Sequence, residues 1–307
     1  MLDGVSLDQL RAFITAVDEG SFSGAARKLR RAQSMVSELV SNLEGQIGVA
    51  LFDRRGRYPV LTAQGRVLLA DARNVVSGVD GMKARAKGMA AGLEPELSVV
   101  VDVFFPFQVV VEAAKAFREH FPGVPLRLYA EALGGAYQPV MDGRAAVGIV
   151  GSLPFVPRGL TSERLAGVAF TMVAASTHPL AAIRGPIPKD ELARHTQLVL
   201  TDRTDLSAGH EFGVMSGATW RVADLFAKHA LLVHGLGWGG MPVHAIQHDI
   251  AAGRLVELRV EDVPAGGLVL PMLAVYPVAA PPGPAGRWLI EQLRDCSASA
   301  SHESLEA

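Results

Sequence analysis

The chain has 307 residues, which at roughly 150 per domain suggests two domains. With 49% hydrophobic and 20% charged residues, and 29 basic against 31 acidic side chains, it can bury sizeable cores; a mainly disordered chain and an overall polycation or polyanion are excluded. A single cysteine, Cys296, excludes a disulfide framework and any multi-cysteine zinc or iron–sulfur site.

The first residues lack a basic stretch followed by a long apolar run. The uncharged stretch Val263 to Gly286 is broken by Pro264, Pro271, Pro277, Pro281, Pro282 and Pro284. The expectation is therefore a cytoplasmic protein that is not exported and has no membrane partner. Charge is uneven along the chain: residues 1–95 hold 13 Lys/Arg and 10 Asp/Glu (net +3), and residues 96–307 hold 16 and 21 (net −5). Between Arg27 and Arg57 the ratio is 7 to 3, which suggests a nucleic-acid-facing head on a different kind of body.

In chain order, Ser6 with Gln9 three residues on predicts a capping box, and Leu7, Leu10, Phe13 or Ile14, and Val17 follow at helical spacing until Gly20. Ser23 is expected to cap a second short helix, Gly24 to Leu29, with Arg30 and Arg31 in the turn after it. A third helix is predicted from about Ser34 to Glu44. Met35, Val36, Leu39, Val40 and Leu43 would face inward, and Gly45 and Gly48 would follow its end. Its outer face carries Gln33, Ser34, Ser37, Glu38, Ser41 and Asn42. Ser and Asn weaken exposed helices, but they present short donors and acceptors able to approach base edges in a major groove. An ordinary polar surface helix is the competing account of the same stripe.

Leu51-Phe52, then Asp53-Arg54-Arg55-Gly56-Arg57, then Tyr58-Pro59-Val60-Leu61 reads as two short strands around a basic tip, a wing whose arginines can reach phosphates or a minor groove. From Thr62 to about Ala91, the residues Leu68, Ala72, Val75, Val79, Met82, Ala86 and Met89 alternate spacings of four and three. That seam predicts a long helix which needs a partner, and a second copy of the chain is the economical one.

Ser21-Phe22-Ser23-Gly24-Ala25-Ala26-Arg27-Lys28-Leu29, Gln33-Ser34-Met35-Val36-Ser37, Leu43-Glu44, Gly48, Leu51-Phe52-Asp53-Arg54 and Leu61-Thr62-Ala63-Gln64-Gly65 together resemble the LysR-type transcriptional regulators. The resemblance covers essentially the first ninety residues with order and gaps intact. It implies that the third helix reads double-stranded DNA, that the wing follows the backbone or minor groove, and that the long helix dimerises. By resemblance Gln33, Ser34, Ser37, Glu38 and Ser41 face bases or phosphates, with Arg54, Arg55 and Arg57 on the wing. Two positions depart from the family pattern. Glu38 stands where a basic residue is common, and a carboxylate there can accept from cytosine N4, which makes it a candidate specificity residue. Ser34 stands where many members have proline.

After Gly92-Leu93-Glu94-Pro95, β-type runs alternate with helices. Strands are predicted at Leu97–Val103, Pro125–Glu131, Ala145–Val150, Phe170–Ala175, Gln197–Leu200, Gly237–Met241, Leu255–Arg259 and Gly267–Tyr276. Helices are predicted from Pro106 to Phe121, near Met141, and over Lys189–His195, Val222–His234, Val243–Ala252 and Arg287–Arg294. The fold class is α/β: an N-terminal winged helix-turn-helix (1–61), a linker and dimerisation helix (62–91), and a two-lobed effector domain (92–295) that resembles periplasmic binding proteins. Lobe 1 would hold about 96–165 and 267–295, lobe 2 about 166–266, and 296–307 would form a frayed polar tail.

Ligands in such sheets bind beyond the carboxyl ends of strands. Asp102, Phe104 and Phe105 are therefore candidates for one wall, and Thr201, Asp202, Trp238 and Met241 for the other. An aromatic or amphipathic small molecule is the expected effector. Asp142-Gly143-Arg144-Ala145-Ala146-Val147-Gly148-Ile149 resembles a family passage but lacks its usual aspartate after the Gly-x-x step, which implies a different ligand contact from that loop.

No cofactor is expected. Gly235-Leu236-Gly237-Trp238-Gly239-Gly240 follows a helix instead of opening one, which weakens a dinucleotide reading. His244 and His248 share a helix face but lack a third metal ligand, and Cys296 lacks a neighbouring base. The functional expectation is a non-enzymatic, ligand-responsive DNA-binding regulator acting as a homodimer or homotetramer. The alternative is a cytosolic solute-binding protein or enzyme whose start happens to look like a helix-turn-helix.

Overall fold

The computed structural model describes residues 4–53, 59–261, 263–264 and 267–306, with side chains up to residue 299. Contacts divide the chain into two units, Met1–Gly88 and Met89–Ala307.

In the first unit, helix α1 (Leu7–Asp18) starts at the predicted capping box: Ser6 Oγ accepts from Gln9 N at 3.3 Å and Gln9 Oε1 accepts from Ser6 N at 2.7 Å. Helix α2 (Phe22–Leu29) is capped by Ser21 and not, as expected, by Ser23; Gly24 N donates to Ser21 Oγ at 3.0 Å. Ser21 has the extended backbone a cap requires, while Ser23 already lies inside the helix. Arg30 ends α2 in the left-handed conformation.

Helix α3 (Gln33–Ile47) is longer than predicted: Gly45 is helical, and Gly48, at φ 75°, forms the C-cap. Val36, Val40 and Leu43 are buried as expected, but Met35 is exposed, with Arg31 against its sulfur at 3.8 Å. Strands β1 (Phe52–Asp53) and β2 (Val60–Leu61) pair antiparallel, Phe52 opposite Leu61. The wing residues Arg54, Arg55 and Arg57 lie outside the described residues. Helix α4 (Ala63–Ala90) follows, about 42 Å long at 1.5 Å per residue.

These elements converge on one core, which includes Phe13, Ala25, Val36, Val40, Leu43, Leu51, Phe52 and Ala72. Phe13 meets Phe52 edge-on, with ring centroids 5.7 Å apart. Glu44 ties α3 to the wing by accepting from Leu51 N at 2.7 Å and Phe52 N at 3.1 Å. Gly65 allows α4 to sit directly on the backbone just before β1, because a Cβ there would lie 2.2 Å from Leu51 O. Arg11–Asp80 and Arg73–Asp18 bridge α1 and α4.

The second unit contains β3 (Leu97–Asp102), α5 (Phe107–His120), β4 (Leu126–Glu131), α6 (Gln138–Met141), β5 (Val147–Val150), β6 (Leu160–Ala175), α7 (Lys189–Leu192), β7 (Gln197–Leu200), β8 (Thr219–Val222), α8 (Leu225–Val233), β9 (Trp238–Pro242), α9 (Val243–Ala251), β10 (Leu255–Glu257), β11 (Leu268–Pro277) and α10 (Pro284–Glu306). Among the described residues the strands form one sheet in the order β4-β3-β5-β11-β6-β9-β7-β8, with β10 also on β6. Parallel β3, β4 and β5 build one subdomain; β7, β8 and β9 build the other. The antiparallel pair β6 and β11 runs through both, with a register shift between Met272 and Leu273.

Three elements differ from expectation. Strand β6 starts at Leu160, ten residues before the predicted Phe170, and its first half carries charged residues that disguise it. Glu163 in that half is satisfied within the fold, accepting from Tyr276 Oη at 2.5 Å and from Arg294 at 3.2 Å. Thr219–Val222 is strand β8, so α8 begins at Leu225 under the cap of Asp224, not at Val222. Helix α10 is helical on to Glu306, through the region expected to be frayed. Glu94 caps its start by accepting from Ala285 N and Gly286 N. Among the described residues no helix is long and apolar enough to cross a membrane.

Candidate functional site

Each unit offers one candidate surface. In the first unit it is the outward side of α3. Gln33, Ser34, Glu38, Ser41 and Asn42 are exposed and Ser37 is half-buried, while Val36, Val40 and Leu43 anchor the opposite side in the core. A short polar stripe is thereby held rigidly on a buried helix. The N-cap position, Ala32, makes no side-chain hydrogen bond, so the first amides of α3 lack a side-chain cap. In the neighbouring segment, Arg31 pairs with Asp8 at 2.8 Å and Lys28 with Glu19 at 3.2 Å. Arg27 and Arg30 are exposed and have no acidic partner among the described residues, which leaves both available to phosphates.

In the second unit a cavity of about 550 Å³ lies where the two subdomains meet. Phe104, Leu133, Tyr137 and Ser152 line it from the β3–β5 subdomain; Gln197, Leu200 and Lys228 line it from the β7–β9 subdomain. Phe170, Leu268 and Leu270, from the two crossing strands, complete it. Most of this surface is apolar, so a bound molecule would be stabilised by burying its own apolar area, at about 25 cal/mol per Å².

The predicted effector residues do not gather at one place. Phe104 lines the cavity. Thr201 and Asp202 line a smaller, adjoining polar hollow of about 280 Å³ that shares Leu133, Leu200 and Phe212 with it. Asp102, Phe105 and Met241 border a third hollow beside α8. Phe104 and Phe105 part in the turn after β3, which is closed by Phe105 N donating to Asp102 O at 2.9 Å. Trp238, expected in the wall, is instead fully buried in a core with Leu180 and Ile187, its indole N–H donating to His195 O at 3.3 Å.

Asp102 organises the wall from behind. Its carboxylate accepts from Phe104 N at 3.0 Å, Gly151 N at 3.1 Å, Ser152 N at 2.8 Å and Ser152 Oγ at 2.5 Å. Burial pushes the carboxyl above the usual aspartate range, against the pull of these four donors. Ser152 Oγ in turn accepts from Leu133 N at 2.8 Å. Leu133 has φ 52°, a left-handed conformation that costs a non-glycine residue roughly 1–2 kcal/mol. The next amide, Gly134 N, donates across to Asp202 Oδ2 at 3.1 Å, linking the two subdomains. Burial raises the Asp202 pKa, but the bonds from Thr204, Ser207 and Gly134 outweigh it, and the carboxyl is held below its ordinary value.

Residues of the cavity that sequence reasoning missed come from the crossing strands, from β7 and from the segments after β4, β5 and β7, whose meeting depends on long-range packing. Lys228 had a local signal: it is the lone lysine inside the otherwise apolar turn Leu225-Phe226-Ala227-Lys228 of α8. The glycine run 235–240 serves packing. Gly239 approaches Leu198 O and Gly240 the Phe170 ring so closely that a Cβ would lie at 2.6 and 2.3 Å. Burial holds the His244 imidazole below its usual pKa, and among the described residues no three metal-ligating side chains cluster.

Comparison with known proteins agrees with this division. The family model described as "Bacterial regulatory helix-turn-helix protein, lysR family" matches residues 7–66, and "LysR substrate binding domain" matches residues 90–297. The uncharacterized HTH-type transcriptional regulator YeeY of Escherichia coli strain K12 is 30% identical over 257 residues, 83% of each chain. The HTH-type transcriptional regulator AceR of Acinetobacter baumannii is 28% identical over 238 residues, 78% of this chain and 79% of that one. Among solved structures, a mutant OxyR of Corynebacterium glutamicum has a TM-score of 0.58 at 24% identity, covering 98% of this chain and 97% of the other. A full-length mutant OxyR from Pseudomonas aeruginosa has a TM-score of 0.51 at 21% identity, covering 96% and 100%. The structural likenesses speak to the fold; the two family matches, which between them span nearly the whole chain, show that it belongs to the LysR family of ligand-responsive, DNA-binding transcription regulators.

Proposed function

We propose that this regulator binds a two-fold-related DNA site as a dimer. Residues 1–61 would read the duplex, 62–91 would pair two copies, and 92–295 would sense a small aromatic or amphipathic molecule. The observation that carries the reading is the polar stripe of α3, exposed on a helix whose other side is locked in the core. Gln33, Ser34, Ser37, Glu38 and Ser41 would meet base edges or phosphates, and Arg54, Arg55 and Arg57 would meet the flanking backbone or minor groove. Pairing through α4 is supported by the later part of its seam: Leu68 and Ala72 pack in the chain's own core, but Val75, Met82 and Met89 are 50%, 57% and 52% exposed in the single chain, and burying them against a second copy is favourable.

The effector would occupy the cavity between the subdomains, with Phe104 in its wall, Thr201 and Asp202 at its polar margin, and Asp102 fixing the Ser152 and Leu133 backbone behind it. Phe105 and Met241 would shape the third hollow, and Trp238 would support β9. A ligand that binds one arrangement of the subdomains more tightly shifts the population toward it, and the hydrogen bond between Gly134 and Asp202 is a contact such a shift would make or break.

The test is binding of the full chain to DNA from upstream of its own coding sequence, measured against random DNA over a salt series. Specific retention is expected, with log K falling by about 0.9 per phosphate neutralised for each tenfold rise in salt. No preference for any upstream fragment over random DNA would remove the proposal.

A further inference from the structure

The cavity wall is mostly apolar, and among its few polar residues Lys228 is the cation. Lys228 projects from α8 with only 4% of its surface exposed, and its Nζ donates to Gly240 O at 2.8 Å. Both residues line the cavity. An ammonium has three donors, and that carbonyl is its one hydrogen-bond acceptor among the described residues. Lys228 is also the one cation among the residues lining the cavity.

A buried charge without a counter-charge is unfavourable unless something neutralises it. The carboxylates nearby are engaged elsewhere: Glu211 pairs with Arg221 at 2.6 Å, and Asp249 on the following helix pairs with His229 and Arg254. Two other polar groups of the wall are committed as well. Gln197 donates to Gly213 O and accepts from Met215 N and Ser216 N, and the Ser152 hydroxyl is held by Asp102. Lys228 therefore stands on a mostly apolar wall as a buried donor without an ion-pair partner among the described residues.

We infer that the Lys228 ammonium is the anchor for a carboxylate on the effector, so that the ligand class is an amphipathic monocarboxylate with its apolar body against Phe104, Phe170 and Leu270. This rests on the reading of the cavity as the effector site. Burial lowers the lysine pKa to about 8, which leaves the group mostly protonated at neutral pH and able to accept the anion. A neutral ligand of the same shape would leave the charge uncompensated, and an amine would repel it. The lysine thus supplies discrimination by charge where the apolar wall supplies affinity without it.

The experiment uses the full chain, with Lys228→Met and Lys228→Arg, and with Leu270→Trp to fill the cavity. The probes are phenylacetate, 4-phenylbutyrate and octanoate, each paired with its primary amide, and phenethylamine. Binding is measured by calorimetry, with circular dichroism to confirm that each variant is folded. At least one acid should bind the wild type about tenfold or more tightly than its amide. Lys228→Met should bring that acid down to the affinity of the amide while leaving the amide unchanged, and Lys228→Arg should keep most of the preference. Acids that never exceed their amides, or an acid preference that survives Lys228→Met, overturn the inference. If Leu270→Trp abolishes binding but Lys228→Met does not, the cavity stands and only the anchor falls. If the probes bind Leu270→Trp with wild-type affinity, the cavity reading itself fails and takes the anchor with it.

Discussion

The α3 face and the cavity between the subdomains of the second unit offer two opposite ways to recognise a partner. On α3, short polar groups stand in water on a helix pinned from behind by Val36, Val40 and Leu43. Little is desolvated before DNA arrives, so affinity comes from phosphates and selectivity from base edges. In the cavity, the wall is mostly apolar and its lysine is already buried, and a counter-charge is the feature a ligand would supply. Selectivity on the first surface is thus separable from stability, whereas on the second the two are coupled, because the residue that would choose the ligand also strains the empty protein. Substitutions can break or sharpen this contrast.

The largest effect is expected beneath α3. Phe13→Ala removes a fully buried ring from the first core and should destabilise that unit by about 3–5 kcal/mol, read as loss of its unfolding transition in urea and of DNA binding together. In the cavity the sign reverses. Lys228→Met removes a buried, uncompensated charge and should stabilise the ligand-free second unit by roughly 3 kcal/mol at pH 7. The same penalty has a pH signature. The folded-state pKa of Lys228, about 8, lies below that of an unfolded lysine, so between the two the unfolded chain holds the extra proton. The cost is fully present below about pH 8, and wild-type stability should recover as pH rises from there to about 10.4, a rise that Lys228→Met lacks. Equal unfolding free energies for the two proteins at pH 7 and pH 10 would contradict this.

On the α3 face, Glu38→Ala should alter discrimination between operator variants by about 1–3 kcal/mol at one base pair, measured by competition binding. Its effect on unfolding should stay within about 0.5 kcal/mol, as for exposed positions generally. An unchanged ranking of operators would show that Glu38 reads nothing. The smallest effect is expected at the link between the subdomains. Asp202→Asn weakens acceptance from Gly134 N and Thr204 N in a partly exposed setting and should cost about 1 kcal/mol. Faster amide hydrogen exchange at Gly134 is the finer measurement of the same loss.

The first unit was largely legible in the chain because its rules are local. A capping box spans three residues, a helical face repeats within a turn, and Ser6, Val36, Val40 and Leu43 could be placed by spacing alone. Errors there were local too: the cap of α2 moved from Ser23 to Ser21, and Met35 turned outward. The second unit was legible as alternating strands and helices, but Leu160–Ala169 hid its strand behind Glu163 and Arg164; the Glu163 carboxylate is satisfied by partners more than a hundred residues away.

The sequence by itself determined the order of elements, the basic head, the polar stripe and the apolar seam, since each is a pattern among neighbours. Only the tertiary structure decided which side chains face the cavity. Whether Phe104 and Phe105 share a space, whether Trp238 lines a wall or fills a core, and whether Lys228 meets water or an apolar pocket all depend on how β6 and β11 pass between two subdomains. That long-range pairing is set by the packing of the whole unit and leaves no short-range repeat to read.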